Sequence, residues 1–199
     1  RYSASASEIF AGAIQDYQRG IIIGQKTFGK GTVQKLDNLS SGQIKITESK
    51  FYRITGAGMQ SKGIHPDITL PSTWDIEEIG ESSYDTALPW DEIKPVRFKK
   101  FSMGPTLISK LNDEHSIRVG QSPNLQYILD IRKRYEIQKN KEVISLNLTN
   151  RRIEKEERQS WALDIENKRR ASLNLETFNS YKAMQDYNDA KETEDDERD

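Results

Sequence analysis

Three serines stand at alternate positions in the opening residues, RYSASASEIFAGAIQDY, immediately before an apolar pattern of helical spacing. A serine hydroxyl is a poor nucleophile unless a neighbouring base takes its proton. The chain has no cysteine, which removes thiol nucleophiles, cysteine-ligated metals and disulfides. Its two histidines, His65 and His115, lie far apart in the sequence. Lysine is therefore the natural base, because a Ser–Lys pair is a working variant of nucleophilic hydrolysis.

The same opening residues also spell a helix cap. Ser5 and Glu8 follow the S-x-x-E form of a capping box, in which the serine side chain accepts from the Glu8 amide and the glutamate returns to the serine amide. By itself this pattern favours a cap over a nucleophile. The two roles are compatible, because the positive end of a helix also stabilises a developing oxyanion.

The lysine best placed to act as a base is Lys30, in the glycine-rich turn TFGKGT at residues 27–32. A catalytic lysine must be neutral, and a dry site that disfavours the ammonium form provides this. Phe28 and the preceding apolar run IIIG can exclude water, and glycines on both sides of the lysine let the backbone pass close to another element. An ordinary turn lysine is the alternative interpretation, and His65 is the alternative base.

The hydrophobic pattern predicts a β-rich first piece. Residues 6–18 carry an apolar stripe at three- and four-residue spacing, which indicates a helix. The run IIIG at residues 21–24 fits a strand buried on both faces. Residues 32–36 and 43–54 predict two strands joined by the turn DNLSSG, with one face half-buried.

The later residues predict mostly helices. One helix is expected from Pro105, where proline suits the first helical position, and another after Ser122. His115 is expected at a solvated helix end. The alternating residues 142–150 predict a short strand, followed by a long charged helix from residue 150 to about 171.

The composition limits the classes of function. Charged residues make up 31% of the chain and hydrophobic residues 34%, and the mean hydropathy is −0.81. No apolar run is long enough to cross a membrane, and no metal-ligand spacing such as HExxH occurs. Residues 186–199 hold eight acids and two bases, which predicts an acidic disordered tail. The basic excess elsewhere is diffuse, so we expect no nucleic-acid partner, no metal and no small-molecule cofactor.

Three stretches of the sequence resemble the carboxy-terminal processing proteases, most closely their tail-specific branch. The first is SASASEIF followed by GKGTVQ, whose lysine stands 25 residues after the middle serine. The second is YRITGxxxQxxGIxPD at residues 52–67, and the third is ALPWD at residues 87–91. The resemblance covers nearly the whole chain and is weakest after residue 150.

The resemblance implies roles for five residues. The spacing in this family makes Ser5 the nucleophile and Lys30 the base, and it excludes the serines at positions 3 and 7. An aspartate eleven positions after the serine, here Asp16, is implicated in activity. A glutamine four positions after the lysine, here Gln34, holds the lysine in place. The backbone amide of Ala6, at the helix start, would donate to the oxyanion.

Two of these roles have ordinary alternatives. An aspartate late in a helix can simply pair with Arg19 or Lys30, and a glutamine in a strand is often solvated. A charged Asp16 close to Lys30 would favour the ammonium form. We therefore expect Asp16 to orient the site from a distance or through a neighbour.

The resemblance also implies a fold class, α/β (α+β), and a division of the chain. Residues 1–71 would form the C-terminal part of a layered sheet-and-helix serine protease domain. Residues 72–185 would form a mostly helical C-terminal extension that contacts the protease core without supplying a catalytic group. The acidic tail at residues 186–199 would follow.

The implied activity is that of a serine endopeptidase acting on proteins with exposed C-terminal tails. The implied location is the periplasm or the periplasmic face of the inner membrane. An upstream PDZ domain and an adaptor protein are implied partners, and the chain is expected to be a C-terminal fragment that is inactive alone. The rival hypothesis is a non-catalytic protein-interaction module that uses the charged C-terminal helix and tail.

Overall fold

The chain contains both helices and short β-strands, as the predicted α/β class requires. The structure is a computed structural model, and it describes residues 3–74, 76–104 and 106–196. Two compact units are present, Arg1–Arg118 and Val119–Asp199. The predicted domain boundary at residues 71/72 therefore falls inside the first unit. Among the described residues, no helix combines the length and apolar character that crossing a lipid bilayer requires.

The first helix, α1 (Ala6–Asp16), leads into a short parallel sheet. Strand β1 (Ile23–Gly24) pairs with β4 (Ile68–Thr69), and Ile23 lies opposite Ile68. The predicted helix and strand are thus both present, in shorter form. Burial of β1 on both faces was wrong, because Ile23 is 58% exposed while its partner Ile68 is 5% exposed.

The predicted hairpin is confirmed. Strands β2 (Thr32–Asn38) and β3 (Gln43–Lys50) pair antiparallel, and the register shifts between Val33 and Gln34. The strand β3 ends four residues earlier than the pattern predicts. Its apolar residues Ile44 and Ile46 are 43% and 46% exposed, so the hairpin adds little to the core of this unit.

The core of the first unit lies under the loop that precedes β4. Met59 and Ile64 are 2% and 0% exposed. Helix α1 reaches them because it carries Gly12 at the contact, where an added Cβ would lie 3.1 Å from Ile64 Cδ1. A larger side chain there would have to displace a fully buried isoleucine.

Residues 88–96, here called the latch, run along residues 54–58 in an extended conformation. Ile93 N–H donates to the Gly56 carbonyl at 2.8 Å, and Gly58 N–H donates to the Asp91 carbonyl at 3.0 Å. Trp90 Nε1 donates to the Gly58 carbonyl at 2.9 Å. These bonds explain why the chain after residue 71 stays within the first unit.

Side chains reinforce the latch at Asp91. Its carboxylate accepts from Lys50 Nζ at 3.1 Å and from the Tyr52 hydroxyl at 3.0 Å. The Lys50 hydrogen bond holds the pKa of Asp91 below its usual value. The pKa of Tyr52 is raised, mainly by desolvation and to a smaller extent by its hydrogen bond to Asp91. The three groups therefore form one charged cluster around ALPWD.

Two short helical segments and most of one longer helix complete the first unit, whose last residue, Arg118, lies within that helix. They are α2 (Ile76–Ile79), a 3₁₀ turn (Glu81–Ser83) and α3 (Leu107–Gln121). The predicted start at Pro105 lies outside the described residues. The expectation that His115 is solvated was wrong, because it is 6% exposed and its Nε2 lies 3.1 Å from the Thr69 carbonyl oxygen. Long-range packing of α3 against β4 buries it.

The second unit consists of helices. They are α4 (Pro123–Lys139), α5 (Leu148–Ser172) and α6 (Tyr181–Asp196). The strand predicted over residues 142–150 is not formed, and α5, which was predicted from residue 150, begins earlier, with Asn147 as its cap. Asn147 Oδ1 accepts from Thr149 N–H at 2.9 Å and from Asn150 N–H at 3.2 Å.

The acidic end is helical where the sequence predicted disorder. Helix α6 continues to Asp196, and residues 197–199 lie outside the described part of the chain. Met184 is 8% exposed, and the Tyr187 and Phe178 rings lie 5.3 Å apart. The Arg170 guanidinium stacks 4.3 Å from the Phe178 ring centre. These contacts fix the first turns of α6, which composition alone does not reveal.

The close approach of the latch makes Gly56 a sensitive position. Gly56 and Gly42 both have left-handed φ angles, +87° and +89°. An added Cβ at Gly56 would overlap the Ile93 carbonyl oxygen, whereas at Gly42 it would meet nothing within 4 Å. We expect Gly42→Ala to cost about 1 kcal/mol from backbone strain and Gly56→Ala about 2 kcal/mol more. Urea unfolding measures both, and equal losses would contradict the role of the latch.

Candidate active site

Ser5 occupies the turn that opens α1, and its backbone is strained. Its φ and ψ angles are 56° and −116°, outside the regions that ordinary side chains prefer. Such strain persists where the surroundings enforce it, and it is concentrated at functional sites. The next residue, Ala6, is the first of the helix, where the N–H has no intrahelical acceptor. Ser5 and the Ala6 N–H, which has no acceptor within the helix, thus both lie at the positive end of α1.

The Glu8 carboxylate is the centre of this region and is fully buried. Its Oε2 accepts from the Ser5 N–H at 2.8 Å, which is the glutamate half of the predicted capping box. The same oxygen accepts from the Lys30 N–H at 2.9 Å. The backbone nitrogens of Ser5 and Lys30 can therefore be no further apart than the sum of these two distances. One oxygen fixes the backbone of both predicted dyad residues.

The second oxygen of Glu8 fastens the chain just before the lysine. Glu8 Oε1 accepts from the Gly29 N–H at 2.7 Å and from the Thr27 hydroxyl. The Thr27 oxygen in turn accepts from the Ile64 N–H at 2.7 Å. The carboxylate therefore accepts four hydrogen bonds, which matches the capacity of an ionised carboxylate.

The glycines around Lys30 are required by a close backbone approach. A Cβ at Gly31 would lie 2.5 Å from the Gln60 nitrogen, and one at Gly29, where φ is +91°, would lie 3.0 Å from the Ser61 carbonyl carbon. The expected role of these glycines in close packing is therefore what the structure shows. Lys30 itself is half-buried.

Lys30 and Gln34 face one cavity of about 360 Å³. Gln34 lies on β2 directly after the register shift, opposite Thr47. The cavity is lined further by Phe28, Thr32, Thr47, Gln60, Glu81, Tyr84, Thr86, Ala87 and Leu88. Its wall thus combines the loop that carries Lys30 with residues 81–88, which lie beyond the predicted boundary at residues 71/72.

Asp16 lies at the other end of α1 and is 7% exposed. Its carboxylate forms a two-point ion pair with Arg53, in which Arg53 Nε donates at 2.9 Å and Nη2 also donates. Arg53 Nη2 reaches Gln15 Oε1 as well, at 2.9 Å. Asp16 thus pairs with Arg53, and not with Arg19 or Lys30, the two partners that the sequence suggested. This ion pair lies at the end of α1 opposite Ser5.

His65 is exposed and lies near that same end of α1. Its carbonyl accepts from Gln15 Nε2 at 2.9 Å. At a rise of about 1.5 Å per residue, Gln15 lies roughly 15 Å along the helix from Ser5. The structure thus places His65 away from the serine. Among the described residues, no cluster of three or more acidic, histidine or cysteine side chains is arranged to hold a metal.

Four polar residues at the site were missed as site residues by the sequence analysis. They are Glu8 in its wider role, Thr27, Arg53 and Gln60. Glu8 had a signal, since S-x-x-E marks it as a capping partner. The other three bear no local signal, because their partners are 19 to 38 residues away along the chain, and only folding brings them together.

Two family descriptions match the chain. Residues 1–70 match Peptidase family S41, and residues 74–199 match the C-terminal domain of tail specific protease. Together they span nearly the whole chain, with their junction close to the predicted boundary at residues 71/72.

Individual proteins give the same kind of match. The tail-specific protease of Haemophilus influenzae is 40% identical over 166 residues, which cover 77% of this chain and 24% of that protein. The carboxy-terminal-processing protease of Bartonella bacilliformis is 48% identical over 69 residues, 34% of this chain and 16% of that protein. A solved photosystem II D1 C-terminal processing protease matches 34% of this chain and 18% of its own, with 40% identity and a TM-score of 0.32. The chain thus spans a quarter or less of these relatives.

Replacing Glu8 by glutamine tests the buried carboxylate. An amide offers one acceptor oxygen and two N–H donors, which would face the donors now bound to Glu8. We expect Glu8→Gln to lower the free energy of unfolding by about 3 kcal/mol. Glu48→Gln, on the exposed face of β3, is the matched control and should change it by less than about 0.5 kcal/mol. Chemical unfolding measures both, and similar small losses would rule out the proposed network.

The Asp16–Arg53 pair invites a double-mutant cycle. Each side chain is largely buried, so removing one leaves the other charge uncompensated, at about 3 kcal/mol. Asp16→Asn and Arg53→Gln together should therefore cost less than their sum, with a coupling of at least about 1.5 kcal/mol. Additive losses in unfolding free energy would show that Asp16 depends on a different partner.

Proposed function

Because the chain belongs to the family of the tail-specific protease C-terminal domain over residues 74–199 and matches peptidase family S41 over residues 1–70, we propose that it forms the C-terminal part of a serine endopeptidase. Ser5 is the nucleophile and Lys30 is the base. The chain supplies this pair, and it is inactive alone. The substrates are proteins with exposed, often apolar C-terminal tails, which are processed or degraded.

One observation carries the proposal. The Glu8 Oε2 atom binds the amides of Ser5 and Lys30 together, at 2.8 and 2.9 Å. A serine in a strained turn and a lysine in a glycine-lined loop, fastened to one buried oxygen, are what a preorganised nucleophile and base require. A simple helix cap needs the first of these bonds and has no use for the second.

The mechanism follows from these positions. The neutral Lys30 amine takes the proton of the Ser5 hydroxyl as its oxygen attacks the scissile carbonyl carbon. The resulting oxyanion meets the Ala6 N–H at the start of α1. The Lys30 ammonium then returns the proton to the leaving amine, and the ester is hydrolysed by a water that Lys30 deprotonates. Gln34, which faces the same cavity, orients the Lys30 amine, and Asp16 supports the helix through Arg53.

Partners and location extend the proposal beyond this chain. We propose an upstream PDZ domain that delivers C-terminal tails to the cleft and an adaptor protein that selects substrates. The protease would work in the periplasm or at the periplasmic face of the inner membrane. These assignments rest on the family resemblance alone, because the chain spans a quarter or less of the Haemophilus and Bartonella proteases.

A second role is compatible with the first. In the second unit, the segment before α5 exposes Val143 by 76% and Leu146 by 97%, and the first residue of that helix, Leu148, is 65% exposed. Exposed apolar side chains of this size are typical of surfaces that bind protein. If the dyad were idle, this unit would make the chain an interaction module. Cleavage by the full-length protein that Ser5→Ala abolishes favours the protease, and no cleavage by either protein favours the interaction module.

The dyad is tested by substitutions in the full-length protein. Ser5→Ala should abolish peptide-bond cleavage, with a loss of at least about 10³-fold in kcat, whereas Ser3→Ala and Ser7→Ala should have much smaller effects. Lys30→Arg should also be inactive, because a guanidinium stays protonated. Circular dichroism checks that each variant is folded.

His65→Ala is the matched test of the base. It should retain most activity, because His65 lies at the far end of α1. Loss of the chemical step in His65→Ala, together with survival of Lys30→Arg, would replace the Ser–Lys mechanism by a Ser–His one. The acidic limb of the pH–rate profile, measured for both variants, is the readout.

A further inference from the structure

The loop that carries Lys30 is held from a second side by Gln60 and Glu81. The Gln60 side chain is 1% exposed, and its Oε1 accepts from the Gly31 N–H at 2.9 Å. Its Nε2 donates to Glu81 Oε1, also at 2.9 Å. Gln60 thus connects the residue after Lys30 to a carboxylate 50 residues later in the sequence.

The orientation of this amide follows from its partners. The Gly31 N–H is a donor, so the Gln60 atom that faces it is the oxygen. The Gln60 amide nitrogen then points the other way, inside the protein, where it must meet an acceptor. Glu81 Oε1 supplies that acceptor. The position of the Gln60 side chain therefore depends on the Glu81 carboxylate.

Glu81 also holds the other end of the loop directly. Its N–H donates to the Phe28 carbonyl at 2.7 Å. Phe28 and Gly31 lie on either side of Gly29 and Lys30 in the turn. Glu81 therefore binds the turn at one end through its backbone and at the other through Gln60, while Glu8 binds the amides between them.

We propose that Glu81, acting through Gln60, is a positioning residue for the Lys30 amine. This inference rests on the proposed function of Lys30 as the base. Glu81 belongs to residues 74–199, the part matched to the C-terminal domain of tail specific protease, and lies outside the part matched to the peptidase family. The C-terminal extension thus completes the active site of the first unit, although it supplies no catalytic group.

The cavity supports this role over a purely structural one. Gln60 and Glu81 line the same cavity as Lys30 and Gln34. Without the hydrogen bonds of Gln60, the loop would be more mobile, and the Lys30 side chain could shift and become better hydrated. In a variant that keeps a carboxylate in the cavity, better hydration favours the ammonium form of Lys30, and it would move the acidic limb of the pH–rate profile to higher pH. Simple unfolding of part of the population would lower the rate without moving that limb.

A charge exchange in the full-length protein tests the proposal. Glu81→Ala should lower kcat/KM by about 10- to 100-fold. Gln60→Glu should lower it similarly and shift the acidic limb upward, because two carboxylates would then face each other in the cavity that Lys30 lines. Adding Glu81→Gln to Gln60→Glu restores one donor opposite one acceptor and should recover most of the activity and the original limb. Glu92→Gln, on an exposed side chain of the latch, is the matched control and should leave both unchanged.

Ser5→Ala and Lys30→Arg, measured alongside, separate this inference from the proposed function. If both are inactive while Glu81→Ala keeps wild-type kcat/KM and pH profile, the positioning role is wrong and the dyad stands. A loss in Glu81→Ala without recovery in the double variant, or an unmoved acidic limb in Gln60→Glu, would also overturn it. If Ser5→Ala or Lys30→Arg remains active, the dyad is wrong and the inference falls with it.

Discussion

The buried carboxylate of Glu8 is the interaction on which the rest of the site depends. It accepts from the backbone of Ser5 on one side and from Gly29 and Lys30 on the other. A buried anion is costly unless its lone pairs are filled, and here four donors fill them. The same bonds that stabilise the anion also fix the distance between the helix start and the lysine loop. Stability and active-site geometry therefore depend on one side chain.

The lysine loop is narrow and is held from two directions. Its glycines allow it to pass against the backbone of Gln60 and Ser61, where a side chain would clash. Because glycine is conformationally free, such a loop is not rigid by itself. Rigidity comes from the hydrogen bonds of Glu8 on one face and of Gln60 with Glu81 on the other. The glycines allow the close backbone approach, and the two sets of hydrogen bonds fix the conformation of the loop.

The C-terminal extension has two parts with different tasks. Its first part, through the latch and α3, is hydrogen-bonded to the protease-like residues and forms a wall of the cavity. Its second part is a separate helical unit in which aromatic rings, Arg170 and Met184 organise α5 and α6. Through the bonds of the first part, residues 1–71 and the start of the extension share one compact unit. The second part leaves apolar residues exposed, Val143 and Leu146 among them.

The sequence alone determined the features that depend on neighbours in the chain. The S-x-x-E pattern placed a glutamate against the Ser5 amide, apolar periodicity gave α1 and the hairpin, and the family spacing selected Ser5 and Lys30 as the dyad that we propose. Only the tertiary structure decided which distant groups meet: Asp16 with Arg53, His115 with the β4 carbonyl, and Glu81 with the lysine loop through Gln60. It also turned a predicted strand into a loop and a predicted disordered tail into α6. Caps and periodicity act within a few residues, whereas these contacts join residues that are 20 or more positions apart, and their geometry exists only once the backbone has folded.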